Sequence, residues 1–106
     1  MDLAQDWIRH LKMLLDIAQE LANEGVALCG HKYHALSFGS FSVEFGRSHY
    51  RVLCEWDGKE SILSLSYSNV TNKAGPRQWI HDANISVPAK DVYAEIASNV
   101  LSMVQS

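Results

Sequence analysis

The composition and net charge of the chain point to no specialised class of protein. Among its 106 residues there are two cysteines, two prolines and six glycines, and the formal net charge is only −3. Apolar residues make up 47% and charged residues 20%, which excludes a disordered chain. The mild negative charge argues against a nucleic-acid-binding protein, because such a protein normally carries a basic stripe. The length predicts one domain, residues 1–106.

Long apolar runs are also missing. The run 13–15 is closed by Asp16, so no segment is expected to span a bilayer. The first residues, 1–3, carry no basic leader ahead of an apolar run, and we therefore expect no signal peptide and a cytoplasmic protein. In that compartment Cys29 and Cys54 are expected to be reduced thiols.

Catalytic motifs are absent as well. The sequence has no Gly-rich phosphate loop, no Gly-x-Ser-x-Gly elbow and no His-Glu-x-x-His helix. Cys29, His31 and His34 could supply part of a metal site, but their spacing matches no known Cys/His signature. In a simple meander His81 would lie four strands from His34, roughly 19 Å away. We expect no cofactor, metal or catalytic residue, with Cys29 buried as a small hydrophobe and His81 a core histidine.

Two amphipathic helices frame the chain. Asp2 is predicted to cap the first helix, and Gly25 to end it in a left-handed cap. Its predicted buried stripe comprises Ala4, Trp7, Ile8, Leu11, Leu14, Leu15, Ala18, Leu21 and Ala22. Pro88 is expected to begin the second helix, because its missing amide is harmless in the first turn. The apolar stripe of that helix comprises Val92, Tyr93, Ile96, Ala97, Val100, Leu101 and Val104.

The segment between the helices has the period of β-strands. Apolar and polar residues alternate between residues 33 and 67, and again over 79–87, which indicates antiparallel strands with one buried face. In the last segment the predicted buried residues are Trp79, His81, Ala83, Ile85 and Val87. The expected fold is a two-layer α+β sandwich. It has a five-stranded antiparallel meander with both helices on one face, in the order α-β-β-β-β-β-α.

Turn residues suggest how the strands pair. A two-residue turn at Gly39 and Ser40 would place Phe38 opposite Phe41, Leu36 opposite Val43 and His34 opposite Phe45. Residues 46–49 form the next connection. At Asp57 and Gly58 two registers remain open: a two-residue loop would set Glu55 against Glu60, whereas a four-residue loop avoids this repulsion. Residues 68–77 are expected to form a long surface loop.

Two predicted surfaces could bind a partner. Asp16, Glu20 and Glu24 form an acidic ridge on the first helix, which local helix stability does not explain. The second surface is the sheet face without helices. Its predicted residues are Ser42, Glu44, Arg51, Leu53, Glu55, Ile62, Ser64, Ser66, Ile80, Asp82 and Asn84. In this set Leu53, Ile62 and Ile80 would form a small apolar patch beside Arg51 and Glu55.

These surfaces lead to the functional hypothesis of a small, non-catalytic cytoplasmic binding protein that acts through protein–protein contacts. Its sharpest version is an immunity-type or antitoxin-type inhibitor of a basic partner, because an acidic surface attracts a cationic active site. One alternative is a homodimeric module joined through Leu53, Ile62 and Ile80. Another is a metal-dependent enzyme or sensor centred on Cys29, His31 and His34.

Overall fold

The computed structural model describes residues 3–69 and 78–105. The helices and strands are α1 Leu3–Asn23, β1 Ala27–His34, β2 Ser40–Arg47, β3 Tyr50–Asp57, β4 Ile62–Asn69, β5 Ile80–Ser86 and α2 Val92–Gln105. The strands lie in the order β1-β2-β3-β4-β5, and each pairs antiparallel with the next. The predicted five-stranded meander with a helix at each end is therefore confirmed.

Both helices lie on the same face of the sheet. α1 packs against β1 and α2, and α2 packs across β2 and β3. The covered face carries the buried side chains of the central strands: Phe41, Val43, Phe45, Val52, Cys54, Trp56, Leu63 and Leu65. Opposed residues stack in rows across the strands; one row is Val43, Cys54 and Leu65, each at most 1% exposed. The opposite face of the sheet carries neither helix.

α1 ends as predicted. Its last residue is Asn23, and Gly25 has the left-handed φ of 80° that a C-terminal cap requires. The Val26 amide then donates a hydrogen bond to the Leu21 carbonyl at 2.9 Å, which satisfies a terminal carbonyl of the helix. Because Val26 is buried, this cap also directs the chain into β1.

The buried face of α1 differs from the predicted stripe. The buried residues of the helix are His10, Leu14, Ile17 and Leu21. Of the nine predicted positions, Leu14 and Leu21 are buried and Ala18 is half-buried. Six others are exposed: Ala4, Trp7, Ile8, Leu11, Leu15 and Ala22. The predicted stripe combined two neighbouring apolar faces, and only one of them meets the sheet.

The predicted register of β1 against β2 is wrong. The turn is not at Gly39 and Ser40, because residues 35–39 form a five-residue loop between the two strands. Phe41 lies opposite Tyr33, Val43 opposite His31 and Phe45 opposite Leu28. Phe38 and Leu36, predicted to pair within the sheet, belong to the loop and are 70% and 86% exposed. The observed register places Tyr33 under α1, where its ring meets Trp7 at a centroid distance of 4.5 Å.

The β3–β4 connection takes the four-residue form. Asp57 lies opposite Ile62, so residues 58–61 form the loop and Glu55 faces Ser64. The like-charge contact with Glu60 is thereby avoided. This loop also packs closely against the β1–β2 loop at Gly58, where a Cβ atom would overlap the backbone of Phe38.

A bulge in β5 changes which residues face the helices. Leu65 lies opposite Ala83, but Ser66 lies opposite His81, so Asp82 is the extra residue. His81 therefore lies on the open face and is exposed, and the prediction of a core histidine is wrong. Of the loop predicted at 68–77, residues 70–77 lie outside the described residues. Its first two residues belong to β4.

α2 follows its predicted pattern. Pro88 has extended backbone angles and precedes a short 3-10 turn, Ala89–Asp91, that leads into the helix. Val92, Ile96, Ala97 and Val100 are buried, and Tyr93, Leu101 and Val104 pack against the core as partly buried residues.

The two apolar faces of α1 should respond differently to truncation. Leu21→Ala removes a side chain that is 0% exposed, and we expect it to lower the free energy of unfolding by about 2–5 kcal/mol through the cavity it leaves. Leu15→Ala, at a position 67% exposed, should change this free energy by no more than about 0.5 kcal/mol. Urea denaturation at low micromolar concentration measures both, and equal losses would contradict the assignment of the faces.

Candidate functional site

The residues of the predicted acidic ridge are all exposed. Asp16 and Glu20 lie on α1, on the side that does not face the sheet, and Glu24 directly follows the last residue of the helix. The residues described here therefore leave the ridge accessible to a partner.

The predicted patch on the open face is divided. Leu53 lies between Glu44 and Ser66, whereas Ile62 lies between Asp57 and Ser86 at the far end of the strand pair. Both are half-buried. A shallow polar cavity of about 570 Å³ lies between their rows, with Lys32, Glu55 and Asp57 in its lining. The two aliphatic side chains are therefore not neighbours.

The other predicted residues of this face have different surroundings. Arg51 donates from its guanidinium to the carbonyl of Ser48 at 2.8 Å, and it lies 3.9 Å from the Glu44 carboxylate. Ile80, predicted on the open face, lies opposite Tyr67 and is therefore on the helix-covered face, where it is 54% exposed. That prediction was wrong because the Asp82 bulge shifts the register by one residue. Leu53, Ile62 and Ile80 thus do not form one patch.

The Cys29, His31 and His34 segment does not converge on one point. His31 lies opposite Val43 on the helix-covered face, and His34 lies opposite Ser40 on the other face. Cys29 is the extra residue of a bulge in β1 and is exposed, so the prediction of a buried thiol is wrong. Among residues 3–69 and 78–105 no group of three His, Cys, Asp or Glu side chains is placed to hold a metal ion. Cys54 is buried as expected, and burial raises the pKa of its thiol to about 12.

The exposed apolar face of α1 is a surface that the sequence analysis did not separate from the core. We call it the seam; its residues are Ala4, Ile8, Leu11, Leu15, Ala18 and Ala22, of which Ala18 is half-buried and also packs against the core. Ile8, Leu11 and Leu15 are 44%, 47% and 67% exposed. The side of the helix opposite the seam carries Met13, which lines a cavity together with Val92 of α2. α1 packs on the edge strand β1, and Ile8, Leu11 and Leu15 of the seam are exposed at this margin of the sheet.

His10 is the centre of a second feature that was not predicted. It projects from α1 into the core and is 2% exposed. Its Nδ1 lies 2.6 Å from the Tyr93 hydroxyl of α2, and its Nε2 lies 2.7 Å from Nε2 of His31 on β1. The Tyr33 ring stacks on the imidazole at 4.1 Å between centroids. A histidine within the 10, 14, 17, 21 spacing of α1 was the available signal.

The hydrogen-bond chain restricts the protonation of this pair. A neutral imidazole has one N–H, so between the two Nε2 atoms one histidine donates and the other accepts. If His10 donates to His31, the Tyr93 hydroxyl donates to Nδ1 of His10; if His31 donates, His10 donates to the Tyr93 oxygen. Two protonated rings would leave no acceptor between them. These hydrogen bonds therefore require that both histidines are neutral or that the two rings share one extra proton.

Burial shifts the pKa values of the cluster toward the uncharged form of each group. Desolvation, and secondly the charge of His31, lower the pKa of His10 to about 4. Burial also lowers the pKa of His31. Burial and, to a smaller extent, Tyr33 raise the pKa of Tyr93 to about 12. At neutral pH the cluster is therefore uncharged.

Beside this cluster lies a cavity of about 660 Å³ between α1, the β1–β2 loop and the start of α2. Its wall is largely aromatic, with Tyr33, Phe38, Phe41, Trp56 and Tyr93. Arg9 and Lys90 supply positive charge to the lining, and Asp6 supplies a carboxylate that lies 3.6 Å from Arg9. The volume is within the range of small-molecule sites.

Comparison with known proteins identifies no relative. No protein-family model, curated protein or solved structure matches the chain. Among the described residues, no helix is long and apolar enough to cross a membrane.

His10 should make stability depend on pH. The unfolded chain binds a proton near pH 6.5, whereas folded His10 does so only near pH 4, so the free energy of unfolding falls as the pH is lowered through this window. We expect a loss of about 2–3 kcal/mol between pH 7 and pH 4.5 from this group. Urea denaturation at several pH values measures it.

His10→Leu should remove much of that slope, while His31 continues to contribute. The control is His49→Gln, which replaces an exposed turn histidine outside the cluster. The contribution of His10 is the difference between the slopes of the His10→Leu protein and of this control. A His10→Leu protein with the wild-type slope would contradict this account of the cluster.

Proposed function

We propose that this protein is a small, non-catalytic binding protein that acts through protein–protein contacts made by the seam of α1. The observation that carries the proposal is the set of three large aliphatic side chains, Ile8, Leu11 and Leu15, exposed along one line of a helix. A helix in a monomer normally exposes such residues singly, whereas a contiguous apolar surface with a polar rim is typical of a contact site. Gln5, Lys12 and Gln19 provide that rim.

The cytoplasm remains the proposed compartment. Cys29 and Cys54 are both free, one exposed on the β1 bulge and the other buried in the core. Thiols in these positions are compatible with a reducing environment.

The inhibitor version of this function depends on the acidic ridge. Asp16, Glu20 and Glu24 are exposed and could guide a basic partner toward α1 before the seam makes contact. If this version holds, replacement of all three residues by glutamine slows association with the partner and reduces the salt dependence of the association rate.

Photo-crosslinking tests the contact site. With a benzophenone amino acid at Leu11 or Leu15, irradiation of source cells should give adducts with one and the same protein from both positions, because both side chains lie on one surface. The control position is Glu60, which is exposed in the β3–β4 turn and should give no such adduct. Mass spectrometry identifies the product. Absence of adducts at both seam positions would refute the proposal.

The aromatic cavity favours a second candidate function, the binding of a small aromatic anion. The cavity combines aromatic walls with Arg9 and Lys90, the features expected of a site for an apolar ring with a negative group. His10 and Tyr93 of the histidine cluster line this site. The hydrogen bonds of the cluster are satisfied within the protein, so the ligand would rely on ring contacts and on the two cations.

A fluorescent aromatic sulfonate, anilinonaphthalene sulfonate, tests this candidate. Arg9→Gln with Lys90→Gln should weaken its binding about 3–10-fold, the loss expected from two exposed charge contacts. Lys12→Gln with Arg47→Gln, two exposed positions outside the cavity, controls for net charge, and Leu15→Glu controls for binding at the seam. Titration by fluorescence measures the affinities. Equal affinity in the two double variants would refute the cavity as the site.

A further inference from the structure

The seam has the spacing of a coiled-coil contact. Its six residues follow one another at intervals of four, three, four, three and four. Alternating intervals of this kind place side chains along one line that meets a parallel or antiparallel helix, with knobs packing into holes. A single helix is therefore the shape that fits this surface.

We propose that the helix bound at the seam is α1 of a second copy of this chain, packed antiparallel about a twofold axis. This inference rests on the proposed function, and it names a second copy as the partner at the seam in place of the basic protein of the inhibitor version. With the axis at the level of Met13, Leu11 faces Leu15 of the second copy, Ile8 faces Ala18 and Ala4 faces Ala22. The two Leu11–Leu15 contacts then lie at the centre of the interface. On either side of them Ile8 of one copy packs against Ala18 of the other. A twofold interface requires such self-complementarity.

Charge favours the antiparallel arrangement. Lys12 flanks the centre of the seam, and Asp16 lies one turn further along the same side of the helix. An antiparallel second copy brings its Asp16 within reach of Lys12, and the reverse contact forms by symmetry. The antiparallel helix dipoles also attract each other. A parallel pair would place equal charges at equal heights and would gain neither contact.

The edge strand adds apolar surface but no strand pairing. Leu28 of β1 is 44% exposed on the same side of the sheet as α1, and it extends the apolar surface beside the seam. The bulge at Cys29 and the exposed Lys32 disfavour pairing of β1 with another edge. The contact is therefore between helices.

The size of the surface predicts a reversible dimer. The seam is about 27 Å long and a helix about 10 Å wide, which amounts to a few hundred Å² per chain. Stable interfaces commonly bury about 800 Å² per partner, so this one lies in the weak class. We therefore expect a dissociation constant in the micromolar range rather than the nanomolar range.

Sedimentation of the purified protein between about 10 µM and 1 mM tests the inference. The wild type should shift from monomer to dimer over this range, and Leu11→Glu should remain monomeric because it places a charge at the centre of the contact. Ile80→Glu is the matched control, since Ile80 has similar exposure but lies on the opposite edge strand. A monomeric wild type at 1 mM, or an unchanged dimer in Leu11→Glu, would overturn the proposal.

A charge exchange keeps the test independent of folding. Lys12→Asp should weaken the dimer several-fold, and the double variant Lys12→Asp with Asp16→Lys should restore it, because both contacts are then reversed. Both positions are exposed, so neither change disturbs the core. A double variant that dimerises no more tightly than Lys12→Asp alone would overturn the antiparallel contact.

Disulfide trapping determines the register. In a Cys29→Ser background, a Leu11→Cys chain mixed with a Leu15→Cys chain should form mixed disulfides on oxidation, whereas each chain alone should form few. Homotypic disulfides would indicate a parallel pair and overturn the proposal. If the purified protein is monomeric but Leu15 crosslinks to another protein in cells, only this inference fails. If Leu15 crosslinks to nothing, the proposed function fails too.

Discussion

The two hydrogen bonds of buried His10 determine how α1 lies on the sheet. One ring nitrogen bonds to Tyr93 of α2 and the other to His31 of β1, so a single side chain joins three elements. A buried polar group left without partners costs about 1–3 kcal/mol. Rotation of α1 about its axis would break both bonds and the ring contact between Trp7 and Tyr33. These contacts therefore select one orientation of the helix.

Apolar burial alone would not make that choice. The face of α1 that meets the sheet has three large aliphatic residues, Leu14, Ile17 and Leu21, and the seam has three as well. Burial of either set contributes about the same free energy, at roughly 1.5–3 kcal/mol per side chain. The difference in free energy between the two orientations of α1 therefore comes from the contacts of His10 and Trp7. The polar cluster in the core and the apolar surface outside it are thus consequences of one rotation.

Much of the fold could be predicted from the sequence because its signals are local. Period-two alternation identified β2 to β5, whereas β1 lies almost wholly before the alternation begins at residue 33. Gly25 marked the end of α1, and repulsion between Glu55 and Glu60 argued for the longer loop. Errors arose where two assignments satisfied the same pattern. Tyr33 and Phe38 are both aromatic, and pairing Phe41 with Phe38 rather than Tyr33 shifted the register. The bulge at Asp82 has no local signal and reversed the faces of His81 and Ile80.

The candidate site was harder to predict because it depends on which residues meet across the fold. His10 and His31 are 21 residues apart and become neighbours only through the packing of α1 on β1. The seam was visible as part of a wide apolar arc, but periodicity cannot tell which edge of such an arc faces the core. A helix over a central strand would be flanked on both sides, and its whole arc could be buried. α1 lies at the margin of the sheet, and part of its arc stays exposed. Its position in the sheet, rather than its composition, turns an ordinary amphipathic helix into one with two apolar faces.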